Sequence, residues 1–180
     1  MSGGDWRSDV LDFWFALKPE QWWGGGRQLD ELIRDRFERL WKEKRELPPG
    51  QFLTDARTAL AGVILFDQFP RNMFRGHADT YSTDALAQAI AREAVDQKLD
   101  EQLDRNRRIF LYMPFMHSET MDDQRRSLLL FTVLGDEQQL KYAKHHHDIV
   151  ELYGRFPHRN AILGRQSRPD EIASGADKPW

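Results

Sequence analysis

Apolar residues recur every three to four positions over most of the chain. Val10, Trp14 and Leu17 mark one stripe, and Leu29, Ile33, Phe37, Leu40 and Trp41 mark a second, the spacing that lines one face of an α-helix. Pro48, Pro49 and Gly50 stop the second helix. A third starts with Thr54 as N-cap and runs through Leu60, Val63 and Phe66 to Pro70, whose ring forbids continuation. Ser82, Thr83 and Asp84 open a fourth, alanine-rich helix that ends near Lys98. The run Ile109–Met113 has strand character, but no second strand exists to pair with it, so a helix broken at Pro114 is expected. Thr120 with Asp123 forms a variant capping box, Gly135 closes that helix, and Asp136 caps the last long helix, which ends at Gly154. The pattern predicts an all-α fold of about seven main helices. They form antiparallel hairpins stacked in one domain spanning 1–180, with an irregular tail from about 166.

Trp22 and Trp23 precede Gly24, Gly25 and Gly26, which reads as a connecting loop with anchoring rings; no strand precedes it, so it lacks the context of a phosphate-binding loop. One internal echo stands out. FDQFPRN (Phe66–Asn72) and YGRFPHRN (Tyr153–Asn160) each follow a long helix and set Phe-Pro before an Arg-Asn pair, which suggests repeated helical units, although no 34-residue consensus repeat can be read.

Composition narrows the function classes. With 26 basic and 29 acidic side chains in 180 residues the net charge is −3, so a nucleic-acid partner is not expected. There is no cysteine, which excludes disulfides, thiolate metal sites and a cysteine nucleophile, and fits a cytoplasmic protein. No stretch approaches the roughly 18 apolar residues of a membrane span. The opening MSGGDWRSD lacks the form of a secretory signal.

The chemistry-bearing residues gather in four strings. Asp67 and Gln68 lie among apolar neighbours and need partners, which Arg71, Arg155 or Arg159 can supply as planar donors. The alternative is that these arginines, with Arg165, exceed the available carboxylates and hold an anion. His117, Ser118 and Glu119 sit at a helix break beside Asp122 and Asp123, a set suited to acid–base or metal chemistry, or to complementing a helix dipole. His145, His146 and His147 fan out by about 100° each and cannot share one ion; His146 faces inward with Val150 and Tyr153. His145 with Asp148 and His147 with Glu151 have the spacing of solvated pairs. A His-x-Glu zinc deaminase is excluded because its cysteine ligands are missing.

DFWF (Asp12–Phe15), FDQFPRNMFRG (Phe66–Gly76), FLYMPFMHSE (Phe110–Glu119), DDQ (Asp122–Gln124), His146 and YGRFPHRN with Arg165 together resemble the bacterial domain-of-unknown-function family nine-two-four. The resemblance spans nearly the whole chain. It implies a tetratricopeptide-like right-handed superhelix of antiparallel helices and carries no activity or cofactor with it. Its signature falls on Asp67, Gln68, Arg71, Asn72, Arg75, His117, Ser118, Glu119, Asp123, Gln124, His146, Gly154, Arg155, His158, Arg159, Asn160 and Arg165. Ala16 stands where the opening motif usually has glycine, and the tail matches only loosely.

Three readings follow. In the first, arginines and Asp67, Gln68, Asn72, Asp123, Gln124, His146 and Asn160 bind a small phosphate or carboxylate ligand, with His117, Glu119 and His158 catalytic. In the second, a tetratricopeptide-like surface grips a protein or peptide. In the third, the polar strings form a buried structural network. No membrane partner is expected in any of them.

Overall fold

The computed structural model describes residues 4–180, so the reading of the opening stretch as signal-free falls partly outside the described residues. Every regular element among the described residues is helical. None of these helices is long and apolar enough to cross a membrane. The chain divides into two compact units: residues up to 75 with 79–114, and residues 76–78 with 115–180. All six histidines fall in the second.

In the first unit, α1 (Trp6–Phe15) is capped by Asp5, which accepts the Arg7 N–H, and buries Val10, Leu11, Phe13 and Trp14. A short α2 (Pro19–Gly24) follows, then α3 (Arg27–Lys44), which buries Leu29, Ile33, Phe37 and Trp41, while Leu40 at the stripe's edge is half-buried. Phe37 meets Phe13 at 5.2 Å and Phe69 at 4.5 Å between ring centroids, the heart of this unit's core. Trp22 and Trp23, expected in a connecting loop, lie in α2 instead, and they do anchor the glycine run: Trp22 Nε1 donates to the Trp14 carbonyl at 2.8 Å and Trp23 stacks on Phe110.

Two expected helix signals are displaced. The N-cap of α4 (Ala56–Val63) is Asp55, not Thr54, because its carboxylate takes the Thr58 N–H at 2.8 Å while the Thr54 hydroxyl only donates to Asp55. Pro70 does not end the third helix. A π-helical turn, Ile64–Gln68, leads into α5 (Phe69–Met73), and the Phe66 carbonyl, four residues before the proline, accepts the Thr83 hydroxyl at 2.7 Å instead. Next come α6 (Asp84–Asp96) and α7 (Arg105–Met116). The latter is not broken at Pro114: only two residues follow the proline, so the loss is confined to the last turn.

In the second unit, α8 (Met121–Leu134) starts at Thr120, which accepts the Asp123 N–H, and ends on Gly135 at φ 72°. Asp136 caps α9 (Glu137–Tyr153), and this short link folds α9 back along α8. A tight turn carries the chain into α10 (Asn160–Leu163). The stretch after 166, expected to be irregular, contains α11 (Pro169–Ser174), fixed by a proline at its start and by Glu171, whose side chain accepts the Arg168 N–H.

Candidate functional site

The polar strings fold into carboxylate clamps, one set per unit. In the first unit Arg71 sits one turn beyond Asp67 and donates to both oxygens of Asp84, at 2.8 and 3.0 Å, and to the Asp67 carbonyl. Gln68 donates to Asp67 at 2.7 Å. Burial alone would lower the Arg71 pKa, but the charges of Asp67 and Asp84 outweigh it and raise it. A second clamp closes on Asp30 of α3, which accepts Asn72 at 2.9 Å and a bidentate Arg75 at 2.8 and 3.1 Å. Gly25, at φ 56°, lies against this clamp: a Cβ there would come within 3.0 Å of the Arg75 guanidinium.

The second unit repeats the device. Glu171, fully shielded under Arg155 and Arg168, accepts a bidentate Arg155 at 2.8 and 2.9 Å, Asn160 at 3.0 Å, and Arg168 through both its backbone and its guanidinium. The Arg155 hydrogen bond dominates in pulling the Glu171 pKa down to about 2. Glu119 takes both arms of Arg165, at 2.8 and 2.9 Å, and the Phe156 N–H at 2.8 Å. Burial pushes the Glu119 carboxyl up, but the Arg165 and Phe156 hydrogen bonds and the charge of Arg159 outweigh it, so it lies below the usual range. Asn160 also accepts Arg165 Nε, which links the two carboxylates.

These clamps position the histidines. The buried Gln124 amide donates to the carbonyls of Met116, at 2.8 Å, and Ser118, at 2.7 Å, and Arg159 donates to that of His117 at 3.0 Å, so the 116–119 turn is pinned from two sides. Asp123, next to Gln124 in the first turn of α8, is buried. The Phe156–Asn160 turn is tied to the same place through Glu119. The result is an imidazole cluster. The His117 and His146 ring centroids are 6.1 Å apart, and Phe156 lies 5.5 Å from His146 and 5.7 Å from His158. His146 Nδ1 lies 2.8 Å from the Tyr142 carbonyl, which makes it the protonated nitrogen of the neutral ring and leaves Nε2 as the acceptor. Burial, then the neighbouring His117 and Arg159 charges, pull the His146 pKa down to about 3, against one weaker opposing contribution from the Tyr142 bond. Arg159 itself is buried over the Phe156 ring.

Of the residues read from the sequence, His117, Glu119, Asp123, Gln124, His146, Arg155, His158, Arg159, Asn160 and Arg165 lie in the second unit. Asp67, Gln68, Arg71 and Asn72 close their hydrogen bonds within the first. Arg71, Arg155 and Arg165 are matched by internal carboxylates rather than left in excess. The partners that sequence reasoning missed are Asp30, Asp84, Glu171 and Trp180. Asp84 reads as a helix opener and Glu171 as tail, and no spacing rule ties either to an arginine 13 or 16 residues away. His147, Asp148 and Glu151 bring one ligand atom each within 4.8 Å of one another, but both carboxylates are exposed on one face of α9.

The profile of a bacterial protein family of unknown function, DUF924, matches residues 10–174. A solved structure of a protein of unknown function from Agrobacterium tumefaciens, ATU0120, is 38% identical, with a TM-score of 0.86 over 95% of this chain and 97% of that one. Among curated proteins no match is found.

Proposed function

Since the chain belongs to the bacterial DUF924 family, whose description assigns no chemistry, we propose from the geometry of the second unit that it binds a small anionic ligand at the histidine cluster. Arg159 supplies the positive charge that holds the anionic group, and His146 Nε2 accepts from a hydroxyl or N–H elsewhere on the same ligand. The observation that carries this reading is His146: a ring held neutral, with its proton fixed on a backbone carbonyl, presents one nitrogen lone pair at neutral pH. His117 and His158 flank it as proton carriers, and Glu119, saturated by three donors, holds the site together rather than exchanging protons. Arg71, Arg155 and Arg165 then belong to the clamps.

Thermal unfolding against glycolate and inorganic phosphate, each an anion that also carries a hydroxyl, tests this. A ligand at 100 times its Kd adds about 2.7 kcal/mol and raises the midpoint by several degrees. His146→Ala should fold and lose that rise; no rise in the unmodified protein refutes the reading.

A second reading rests on α8. Leu129 and Val133, one turn apart, are 63% and 78% exposed. Such a stripe supports a protein-binding face on a tetratricopeptide-like stack of hairpins. A pull-down with Val133→Glu as control would separate it from the first.

A further inference from the structure

Three imidazoles of the second unit converge on one indole. The Trp180 ring stands edge-on to His145 at 4.5 Å and 84°, to His158 at 4.7 Å and 70°, and to His146 at 4.9 Å and 75°. These are the separations and angles at which aromatic rings attract through their quadrupoles. Behind them, Phe156 packs against both His146 and His158. Trp180 nevertheless remains 50% exposed, whereas Trp14 and Trp41, which complete the first unit's core, are 1% and 2% exposed. An indole gripped on one side and wet on the other can leave at little cost. The surface beneath it, made of His146, His158 and Phe156, is shaped for a flat ring.

We infer that this imidazole cage is a binding site for a planar aromatic ring and that Trp180 is an internal competitor for it. The inference rests on the preceding reading of His146 and Arg159, and adds the ring to the anion. Arg159, buried over the opposite partner Phe156, places a positive charge beside the cage. A ring carrying a quaternary ammonium is therefore disfavoured, and a ring carrying a carboxylate fits. Because the competitor must be displaced first, removing it raises the apparent affinity by the ratio of closed to open chains plus one.

Calorimetric titration of the full chain with indole-3-acetate, indole, acetate and benzyltrimethylammonium tests this, on the unmodified protein, Trp180→Ala and Trp180→Phe. Trp180→Ala should bind both indoles at least tenfold more tightly than the unmodified chain, and Trp180→Phe, which keeps a ring in the cage, should fall between. Adding His146→Ala to Trp180→Ala should abolish the gain, and the ammonium should not bind. Equal affinity for the indoles with and without Trp180, or no indole binding to Trp180→Ala, overturns the inference. Acetate binding without any gain for the indoles overturns it while leaving the anion site standing. A gain for the indoles without acetate binding supports the cage and refutes the anion reading.

Discussion

The two units solve one problem with the same parts and differ in what they add. In each, a Phe-Pro turn leads to an asparagine that donates to a carboxylate already held by a bidentate arginine: Asn72 with Arg75 on Asp30, and Asn160 with Arg155 on Glu171. The first unit has no histidine, and its clamps adjoin an aromatic core of Phe13, Phe37 and Phe69. The second unit has all six histidines, and its clamps hold a cluster of imidazoles under a half-exposed tryptophan. Where the same pairing of asparagine and arginine recurs, on Asp30 and on Glu171, its role is architectural. Chemistry is to be sought where the units diverge, at His117, His146, His158 and Trp180.

The comparison breaks most visibly at a buried pair of the first unit. Asp84→Ala leaves Arg71 with Asp67 alone and should cost about 3–5 kcal/mol in urea unfolding. Arg165→Ala, whose pair with Glu119 is about a quarter exposed on each side, should cost less, on the order of 1–3 kcal/mol. Equal losses would mean that the two sets of clamps are built to the same strength. Asn72→Ala and Asn160→Ala each remove one donor from a carboxylate that keeps its arginine. Each should cost about 1–3 kcal/mol, and matching values would sharpen the parallel.

Acid separates the units by onset. The His146 pKa of about 3 lies below the 6.5 of a free imidazole, so between these values the unfolded chain binds the extra proton. That contribution is complete above about pH 7 and should have lost on the order of 1 kcal/mol by pH 5.5. Asp30 in the first unit is also lowered: burial pushes it up, but Arg75 and Asn72 outweigh this, so its contribution fades only below about pH 5. Amide protection factors, which take out the intrinsic pH dependence of exchange, should therefore fall in α9 between pH 7.5 and 5.5 and hold in α3, and His146→Ala should remove the difference. Smallest of all, Arg39→Ala in the first unit and Arg125→Ala in the second break exposed helix pairs and should each change stability by less than about 0.5 kcal/mol. A larger loss at either would mean that charge pairing in general, rather than the clamps, holds the units together.

Apart from the Asp55 cap of α4, the helix ends were legible where the deciding contact is local. Thr120, Asp136, Gly135 and Gly154 act within four residues of themselves, and the sequence shows them as caps. Pro70 misleads because its rescue comes from Thr83, in another element. The tail misleads because what orders Glu171 is Arg155, sixteen residues earlier. The candidate site was legible as a set of residue types around His117, His146 and His158. That arginines in the same strings would be consumed by Asp84, Glu119 and Glu171 depends on which carboxylates reach them, and spacing carries no such information. Trp180 gives no local signal at all, since its partners lie 22 to 35 residues away.

A histidine-selective proton–nitrogen correlation spectrum followed from pH 8 to pH 4 tests the central claim most directly. His146 should remain a neutral ring protonated on Nδ1 throughout. A His146 that titrates near pH 6.5, or that carries its proton on Nε2, would contradict the account and leave the cluster as ordinary packing.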